Sequence, residues 1–227
     1  MKEDHQEPAA RPLKPGTITK LGRQKKNTRR VSVYLDGEFA FGAYEDVVFE
    51  HGLQTGRALS IEEQQAILDA DGLLVAKTTA MNYVAHRART EHEVRQKLYR
   101  SGTDEATADQ VVARLHELDY LDDGAYAMAY AQGKFRSKGY GPQRVRNDLR
   151  RRGVDAALVE AAVEEVFSDD EVLEAARAQA AKRWPRLQRE PDVYKRRSKL
   201  FDFLLRRGFS YETARQVVEE VEREADE

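Results

Sequence analysis

The N-terminal part of the chain alternates between hydrophobic and polar residues. Residues 30–35 alternate in this way, the dipeptide Asp36-Gly37 follows, and residues 38–42 form a second apolar run. An Asp-Gly pair between two such runs predicts a β-hairpin, because its tight turn needs a positive φ at both central positions. Residues 17–21 are a candidate third strand. Since an isolated hairpin is only marginally stable in water, we expect these strands to pack on the helix that follows.

Helical patterns follow the hairpin and continue to the C-terminus. Residues 45–51 predict a short helix that ends at Gly52. Ser60 and Glu63 have the spacing of a capping box, in which each side chain hydrogen-bonds the other residue's backbone N–H, and they predict a helix through roughly Asp71. From residue 72 onward the pattern predicts helices alone, with breaks at glycine and proline.

An internal repeat organises this helical part of the chain. Residues 91–102, 142–153 and 197–208 align without gaps, and each segment ends in glycine. Two apolar residues, four positions apart, recur at the same distance before each glycine, which is the spacing of one helix face. This face predicts a buried stripe, and the glycine predicts a left-handed helix C-cap. The stripe consists of Val94 and Leu98, Val145 and Leu149, and Leu200 and Leu204.

Each repeat has a helix on both sides of this central one. Residues 75–87, 124–138 and 170–184 predict the helix before it, and apolar residues at helical spacing predict another after each glycine. Because a three-helix unit of this size buries little surface alone, tandem units pack on their neighbours. We therefore predict a mostly α protein, with tandem three-helix repeats in an elongated, curved array after a small N-terminal domain that contains the β-hairpin. The candidate N-caps of the third helices are Asp104, Asp155 and Ser210.

These patterns divide the chain into five segments. The first is assigned to disorder because prolines punctuate it and it lacks periodicity. The predicted segments are a disordered tail at residues 1–15, a small β/α domain at 16–71, and three-helix repeats at 72–121, 122–167 and 168–227.

Composition restricts the class of protein. Charged residues make up 34% of the 227 residues, against roughly 25% in an average globular domain, which suits several small cores better than one large core. No apolar run approaches the roughly 18 residues of a membrane span, and the polar N-terminus does not have the pattern of a signal peptide. The sequence contains no cysteine. We expect a soluble, cytoplasmic protein that has no contact with a membrane.

The net charge of the chain is only −2, but many of its cations are concentrated in three basic blocks. Residues 14–35 contain seven cations and no acid, residues 124–153 contain eight cations and one acid, and residues 182–207 contain ten cations and three acids. A solvated surface neutralised by salt bridges is one interpretation, and a polyanion or protein partner is the other. The candidate partner-binding or nucleic-acid-binding residues are Lys134, Arg136, Lys138, Arg144, Arg146, Arg150, Arg151, Arg152, Lys195, Arg196, Arg197 and Lys199.

The arginines of the second repeat flank its apolar stripe. Since Val145 and Leu149 must face inward, we expect the arginines at 144, 146 and 150–152 to project from the repeat. Aromatic residues are interleaved with these cations and could stack on single-stranded bases, although the first two have the spacing of core residues. These aromatic residues are Tyr126, Tyr130, Phe135 and Tyr140.

The sequence lacks the residue patterns of common catalytic and metal sites. Its five histidines have no paired-ligand spacing, and Arg144 stands where a dinucleotide-binding loop would have its third glycine after Gly139 and Gly141. Asp122-Asp123 lies between two repeats, where acidic residues cap the next helix. We therefore expect a protein that is not an enzyme and that needs neither a metal nor another cofactor.

Two motifs lie at repeat spacing: Tyr120-Leu121-Asp122-Asp123, and Lys138-Gly139-Tyr140-Gly141-Pro142, the second followed by the central-helix stripe and its glycine. Together these motifs resemble the RecX family, regulators of the RecA recombinase. The likeness covers residues 72–223, and residues 17–59 are similar to the N-terminal region of some members. The third repeat departs from the family at residues 184–191, where two prolines predict an inserted loop.

The resemblance implies a function in DNA repair and recombination. A family member would lodge in the groove of the filament of RecA on single-stranded DNA, and would reduce its ATPase and strand exchange without activity of its own. We expect a monomer whose partners are the RecA filament and single-stranded DNA, contacted directly or through the filament. The alternative is an autonomous nucleic-acid-binding module of helical repeats, whose affinity comes from the basic blocks alone and weakens steeply with salt.

Overall fold

The computed structural model describes residues 12–25 and 27–226, so residues 1–11 of the predicted tail lie outside it. One compact unit comprises the described residues up to Asn82 together with Leu98–Val111, and the other comprises Tyr83–Lys97 and the residues from Val112 onward. The elements are β1 (Gly16–Arg23), β2 (Arg30–Leu35), β3 (Glu38–Tyr44), α1 (Glu45–Glu50), β4 (Ala58–Leu59), α2 (Ile61–Ala85), α3 (Glu91–Arg100), α4 (Glu105–Glu117), α5 (Asp123–Lys138), α6 (Pro142–Arg151), α7 (Ala156–Val166), α8 (Asp169–Leu187), α9 (Val193–Arg207) and α10 (Tyr211–Asp226).

The N-terminal strands form an antiparallel sheet in the order β3-β2-β1-β4. The predicted hairpin is confirmed: Asp36 and Gly37 form a two-residue loop between β2 and β3 with φ of +49° and +91°. The candidate third strand is confirmed as β1, which pairs with β2. One hydrophobic core joins the sheet to α1 and α2, and its buried residues include Ile18, Val33, Phe41, Val47, Leu59 and Ile67.

Helix α2 begins at the predicted capping box but does not end where the sequence predicted. The backbone N–H of Glu63 donates to Oγ of Ser60, and the N–H of Ser60 donates to the Glu63 carboxylate. The predicted end near Asp71 is wrong, since α2 continues through Gly72 to Ala85. A single glycine costs a helix only about 1 kcal/mol, and burial of Ala76 and Ala80 beyond it offsets that cost.

The three central helices α3, α6 and α9 confirm the repeat. All six residues of the predicted stripe have no solvent-exposed surface. The glycines that follow the helices have φ of +83°, +76° and +94°, which confirms the left-handed caps. Asp104, Asp155 and Ser210 each accept a hydrogen bond from a backbone N–H of the first turn of α4, α7 and α10. The fold is therefore mostly α, with tandem three-helix units after a small antiparallel sheet.

The first half of the predicted loop at residues 184–191 is helical. Helix α8 continues to Leu187 with Pro185 inside it, so the connection to α9 shortens to residues 188–192. Proline removes one helix hydrogen bond. Leu187 is nevertheless buried and Trp184 packs on the core of the third repeat, which stabilises this last turn despite the proline.

Neighbouring central helices meet end to end within the second compact unit. The backbone N–H groups of Gly141 and Gln143, at the start of α6, donate to the carbonyl oxygens of Arg207 and Gly208, at the end of α9, over 2.9 and 3.0 Å. In the same way, Oγ1 of Thr90 before α3 donates over 2.7 Å to the carbonyl of Arg152 after α6. Backbone groups that the ends of α6 and α9 leave unpaired therefore satisfy one another, and a side-chain hydroxyl satisfies the carbonyl at the end of α6.

The Tyr-Leu-Asp-Asp motif is also a junction. Leu121 is buried, and Asp122 caps α5 by accepting from the N–H of Ala125 over 2.8 Å. Asp123 instead accepts from the N–H of Glu91, at the start of α3, over 2.9 Å. The predicted capping role is therefore confirmed, but the second carboxylate serves the central helix of the first repeat and not its own helix.

Candidate nucleic-acid interface

Carboxylates neutralise part of the basic cluster on α6. Nε of Arg146 and Nη2 of Arg150 lie 2.7 and 2.8 Å from the two carboxylate oxygens of Glu160 on α7. The hydrogen bond from Arg146 is the main cause that lowers the pKa of Glu160 from its ordinary value. Arg151 forms an ion pair with Asp148 one turn earlier. These three arginines are thus part of a salt-bridged surface.

Arg152 does not project from the repeat as predicted. Its guanidinium lies 3.4 Å from the Glu93 carboxylate, donates over 3.0 Å to the hydroxyl of Tyr126 and lies 4.9 Å from the ring centroid of Tyr130. Its side chain is two-thirds buried. This arginine links α6 to α5 and to the segment around α3, and so it has a structural role.

The candidates at the start of α9 are paired with one exception. Lys195 lies 3.6 Å from Asp192, Arg197 lies 3.1 Å from Glu222, and Lys199 forms an ion pair with Glu190. The exception is Arg196, whose guanidinium lies 5.6 Å from the Trp184 ring and whose Nε is buried without a hydrogen bond among the described residues. The candidate site at the start of α9 therefore retains little positive charge without an acidic partner among the described residues.

The candidates in the last turns of α5 and the first turn of α6 are different, because they form no ion pair with the described carboxylates. Arg136 and Lys138 are exposed in the last turn of α5, and Nζ of Lys134 lies 5.1 Å from the ring centroid of Tyr130. The guanidinium of Arg144 lies 3.9 Å from the ring centroid of Tyr140. The structure therefore separates the predicted site into a neutralised part and a cationic part.

Two arginines outside the predicted set extend the cationic part. Arg207, at the end of α9, lies 5.7 Å from the Tyr140 ring and 5.2 Å from the Phe203 ring, and Arg183 of α8 lies 5.5 Å from the Phe203 ring. Neither forms an ion pair within the described part of the chain. We call the five residues Arg144, Tyr140, Arg207, Phe203 and Arg183 the arginine–aromatic ladder.

The spacing of rings and cations along the sequence is a signal for part of the ladder. Phe203 and Arg207 are four residues apart on α9, a spacing that places a ring and a guanidinium on one helix face. Tyr140 and Arg144 have the same separation, although Tyr140 lies two residues before α6 begins. Tyr130 and Lys134 repeat the spacing on α5. The contact between the second and third repeats, which brings the two pairs together, is not visible in such a local pattern.

Reciprocal backbone contacts hold the ladder at the junction of these repeats. Nη1 of Arg144 donates to the carbonyl of Arg206 over 3.2 Å, and Nη1 of Arg207 donates to the carbonyl of Lys138 over 2.8 Å. A guanidinium has five N–H donors, so most donors on both side chains remain for a ligand. The two arginines are thereby fixed in position and still able to bind an anion.

Three of the other interleaved aromatic rings have packing roles. The Tyr126 and Tyr130 rings stack on each other with centroids 6.2 Å apart, and Phe135 packs on Phe167 at 4.8 Å. Tyr126 and Tyr130 also belong to the partly buried shell of the second repeat's core. These contacts agree with the core spacing noticed in the sequence.

A cleft beside the Tyr-Leu-Asp-Asp motif is lined by acids that include Glu91 and Asp123, both of which have partners. It has a volume of about 590 Å³, and the His116 ring nitrogens lie 2.9 Å from the Glu91 carboxylate and 3.1 Å from the carbonyl of Leu121. Burial raises the pKa of Asp123, which accepts from a backbone N–H. Among the described residues, histidine and acidic side chains form no group of three that could hold a metal ion. None of the described helices combines the length and the hydropathy of a membrane span.

Four family models match the chain in order. They are described as the Regulatory protein RecX N-terminal domain, at residues 16–60, and the first, second and third three-helix domains of RecX, at residues 76–115, 122–163 and 169–218. Each of the last three ranges covers one central helix and all or part of the helices on either side of it, and the first contains the sheet.

Individual proteins agree with these models. A regulatory protein RecX of Leuconostoc citreum is 36% identical over 203 residues, which cover 89% of this chain and 75% of the relative. One of Clostridium acetobutylicum is 29% identical over 92% of this chain and 98% of the relative. A crystal structure of a regulatory protein RecX is similar with a TM-score of 0.66 at 28% identity, over 89% of this chain and 98% of that one. A RecX structure from Lactobacillus salivarius gives 0.61 at 25% identity, over 67% of this chain and 98% of that one.

Proposed function

The chain belongs to the RecX family of regulatory proteins, and from this premise we propose that it inhibits the RecA recombinase. In this proposal it binds as a monomer in the groove of the filament that RecA forms on single-stranded DNA, in the cytoplasm. Binding there reduces the ATPase and strand-exchange activities and so regulates DNA repair and recombination. The protein contributes no catalytic residue and no cofactor.

The observation that carries the proposal is the division of charge within the second compact unit. Among the described residues, the ladder and its neighbour Lys138 have no carboxylate partner, whereas Arg146, Arg150 and Arg151 form ion pairs with acids. A filament groove offers protein surface of both signs and a polyanion. A surface with both a cationic part and a salt-bridged part is complementary to such a mixed target.

The experiment compares two triple variants that remove the same charge. RecA ATPase on single-stranded DNA is measured against increasing concentrations of each variant, together with co-sedimentation with the filament. We expect Lys138→Ala/Arg144→Ala/Arg207→Ala to weaken inhibition at least tenfold, and Arg146→Ala/Arg150→Ala/Arg151→Ala to weaken it less, because an ion pair competes with the partner for those guanidiniums. Wild-type protein that neither sediments with filaments nor slows the ATPase would refute the proposal.

The alternative function is nucleic-acid binding without the recombinase. Its support is that phosphate-driven affinity requires uncompensated cations, which the ladder provides. Salt separates the two functions. Binding to bare DNA alone should fall steeply with salt, whereas binding to the filament should be less salt-sensitive because it includes protein contacts. Equal salt dependence on bare DNA and on filaments would favour the alternative.

A further inference from the structure

The arginine–aromatic ladder has the properties of an anion site that spans two repeats. Arg144 belongs to α6 of the second repeat, whereas Arg183 and Arg207 belong to α8 and α9 of the third. None of these arginines forms an ion pair within the described part of the chain, although 34% of all residues are charged. Three guanidiniums arranged around two shared rings repel one another, and an anion bound between them would offset that repulsion.

We propose that the ladder binds the phosphodiester backbone of single-stranded DNA and thereby bridges the second and third repeats. This inference rests on the proposed function for its ligand, the DNA strand of the filament. Guanidinium groups suit phosphate because their planar N–H donors contact two oxygens at once. The backbone contacts of Arg144 and Arg207 fix both groups before the ligand arrives, which reduces the entropy lost on binding.

The rings of the ladder favour recognition of phosphate over recognition of bases. Each ring is only half-exposed and has two guanidiniums within 5.7 Å of its centroid. A nucleobase that stacked on Tyr140 or Phe203 would have to displace a cation–π contact from that ring. The site should therefore be insensitive to base identity and even to the presence of a base.

Bridging makes a second effect measurable. Gly141 and Gly208 form the backbone contact between the repeats, and the two arginines reach across it in opposite directions. A ligand that binds groups from both sides binds the docked arrangement more tightly than the separated one. By linkage, it stabilises that arrangement.

The test measures the fluorescence anisotropy of a labelled 20-nucleotide dT strand with the full chain and without recombinase. We expect Arg144→Ala/Arg207→Ala to weaken binding at least tenfold and to reduce the log–log salt slope by about 1.4, since two phosphate contacts contribute about 0.7 each on single strands. The matched control Arg114→Ala/Arg215→Ala removes the same charge from exposed arginines paired with Glu117 and Glu219. It should weaken binding less than threefold.

Two further arms identify the ligand chemistry. An unlabelled abasic strand of equal length should displace the dT strand as well as unlabelled dT does, and Arg144→Lys/Arg207→Lys should fall between wild type and the alanine variant, because lysine keeps the charge but loses the planar donors. Equal losses in the ladder and control variants would overturn the site. Failure of the abasic strand to compete would overturn backbone recognition.

The inference and the proposed function can fail separately. If the ladder variant loses affinity for bare DNA but still inhibits RecA fully, the phosphate site holds and the proposed route to the filament fails. If the ladder variant binds bare DNA like wild type, the site fails whatever happens to inhibition. Circular dichroism and melting of each variant show that the repeats remain folded. A rise in the wild-type melting temperature with the dT strand, absent in the ladder variant, would support bridging, and an equal rise in both would contradict it.

Discussion

Gly141 and Gly208 lie in direct backbone contact at the junction of the second and third repeats. A Cβ atom built on Gly141 would lie 2.4 Å from the carbonyl oxygen of Gly208 and 2.7 Å from the backbone nitrogen of Phe209. The φ of Gly141 is −78°, so any residue could adopt its conformation, and the close approach alone requires glycine. The glycine-proline pair of the Lys-Gly-Tyr-Gly-Pro motif is thus a docking element for the end of α9.

Gly141→Ala should therefore weaken this junction. We expect it to lower the free energy of unfolding by about 1–3 kcal/mol, the usual cost of overpacking, because backbone atoms cannot move aside as a flexible side chain can. Gly133→Ala is the control, since it lies inside α5 with nothing within 4 Å of its Cβ and should instead raise stability by about 0.5–1 kcal/mol. Urea denaturation followed by circular dichroism measures the free energy of unfolding of both variants. A Gly141→Ala variant as stable as the wild type would contradict the close backbone contact.

Leu149 tests the buried stripe. It has no exposed surface and lies in the core of the second repeat with Val145, Val159 and Val163. We expect Leu149→Ala to cost about 2–5 kcal/mol, through lost transfer free energy and the cavity left behind. Leu158→Ala on α7 removes the same atoms from a position that is 38% exposed, and it should cost clearly less. If Leu149→Ala and Leu158→Ala have the same melting temperature, the repeat alignment is wrong.

Local patterns predicted most of the fold. The Asp36-Gly37 turn, the capping box at Ser60 and the three cap glycines depend on residues a few positions apart, and the structure confirms all of them. The two wrong helix ends, near Gly72 and Pro185, have a common cause. Each residue disfavours a helix locally, and burial of side chains beyond it outweighs that preference.

The candidate site was less predictable because charge alone does not show which charges are paired. Arg146 and Arg150 pair with Glu160, which stands ten or more residues later in the sequence, whereas Arg144 contacts the Tyr140 ring. Arg207 joins Arg144 from 63 positions away, through the contact between repeats. A pattern within one helix cannot contain either relationship.

Asp71 tests how α2 is attached to the sheet. Its carboxylate accepts from Nη2 of Arg30 over 2.8 Å and from the backbone N–H of Tyr44 over 2.7 Å, and it is buried. Asp71→Ala would leave a guanidinium that is only 24% exposed without its partner. We expect a loss toward the lower end of the roughly 3–5 kcal/mol for breaking a buried pair. Asp69→Ala, an exposed change on the same helix, should cost under about 0.5 kcal/mol in the same denaturation assay.

Glu220 makes the third repeat sensitive to acid. Two hydrogen bonds of 2.8 Å from Arg177 on α8, followed by one of 3.0 Å from Gln216, lower the pKa of this α10 carboxyl from 4.5 to about 2. A carboxyl with a depressed folded-state pKa binds protons more tightly in the unfolded chain. The contact therefore contributes its full stability above about pH 4.5 and loses it as the pH falls toward 2.

Glu220→Gln should accordingly have a lower melting temperature than the wild type at pH 7. This gap between the two melting temperatures should narrow as the pH falls from 5 to 3. The glutamine keeps the size of the side chain but loses the charge that Arg177 stabilises, so the variant lacks this part of the acid transition. Glu212→Gln, an exposed change in the first turn of the same helix, is the control and should follow the wild-type curve. Melting temperatures at half-unit pH steps measure the gap. A gap that stays constant across this range would show that the Glu220 carboxylate gains nothing from its partners on α8 and α10.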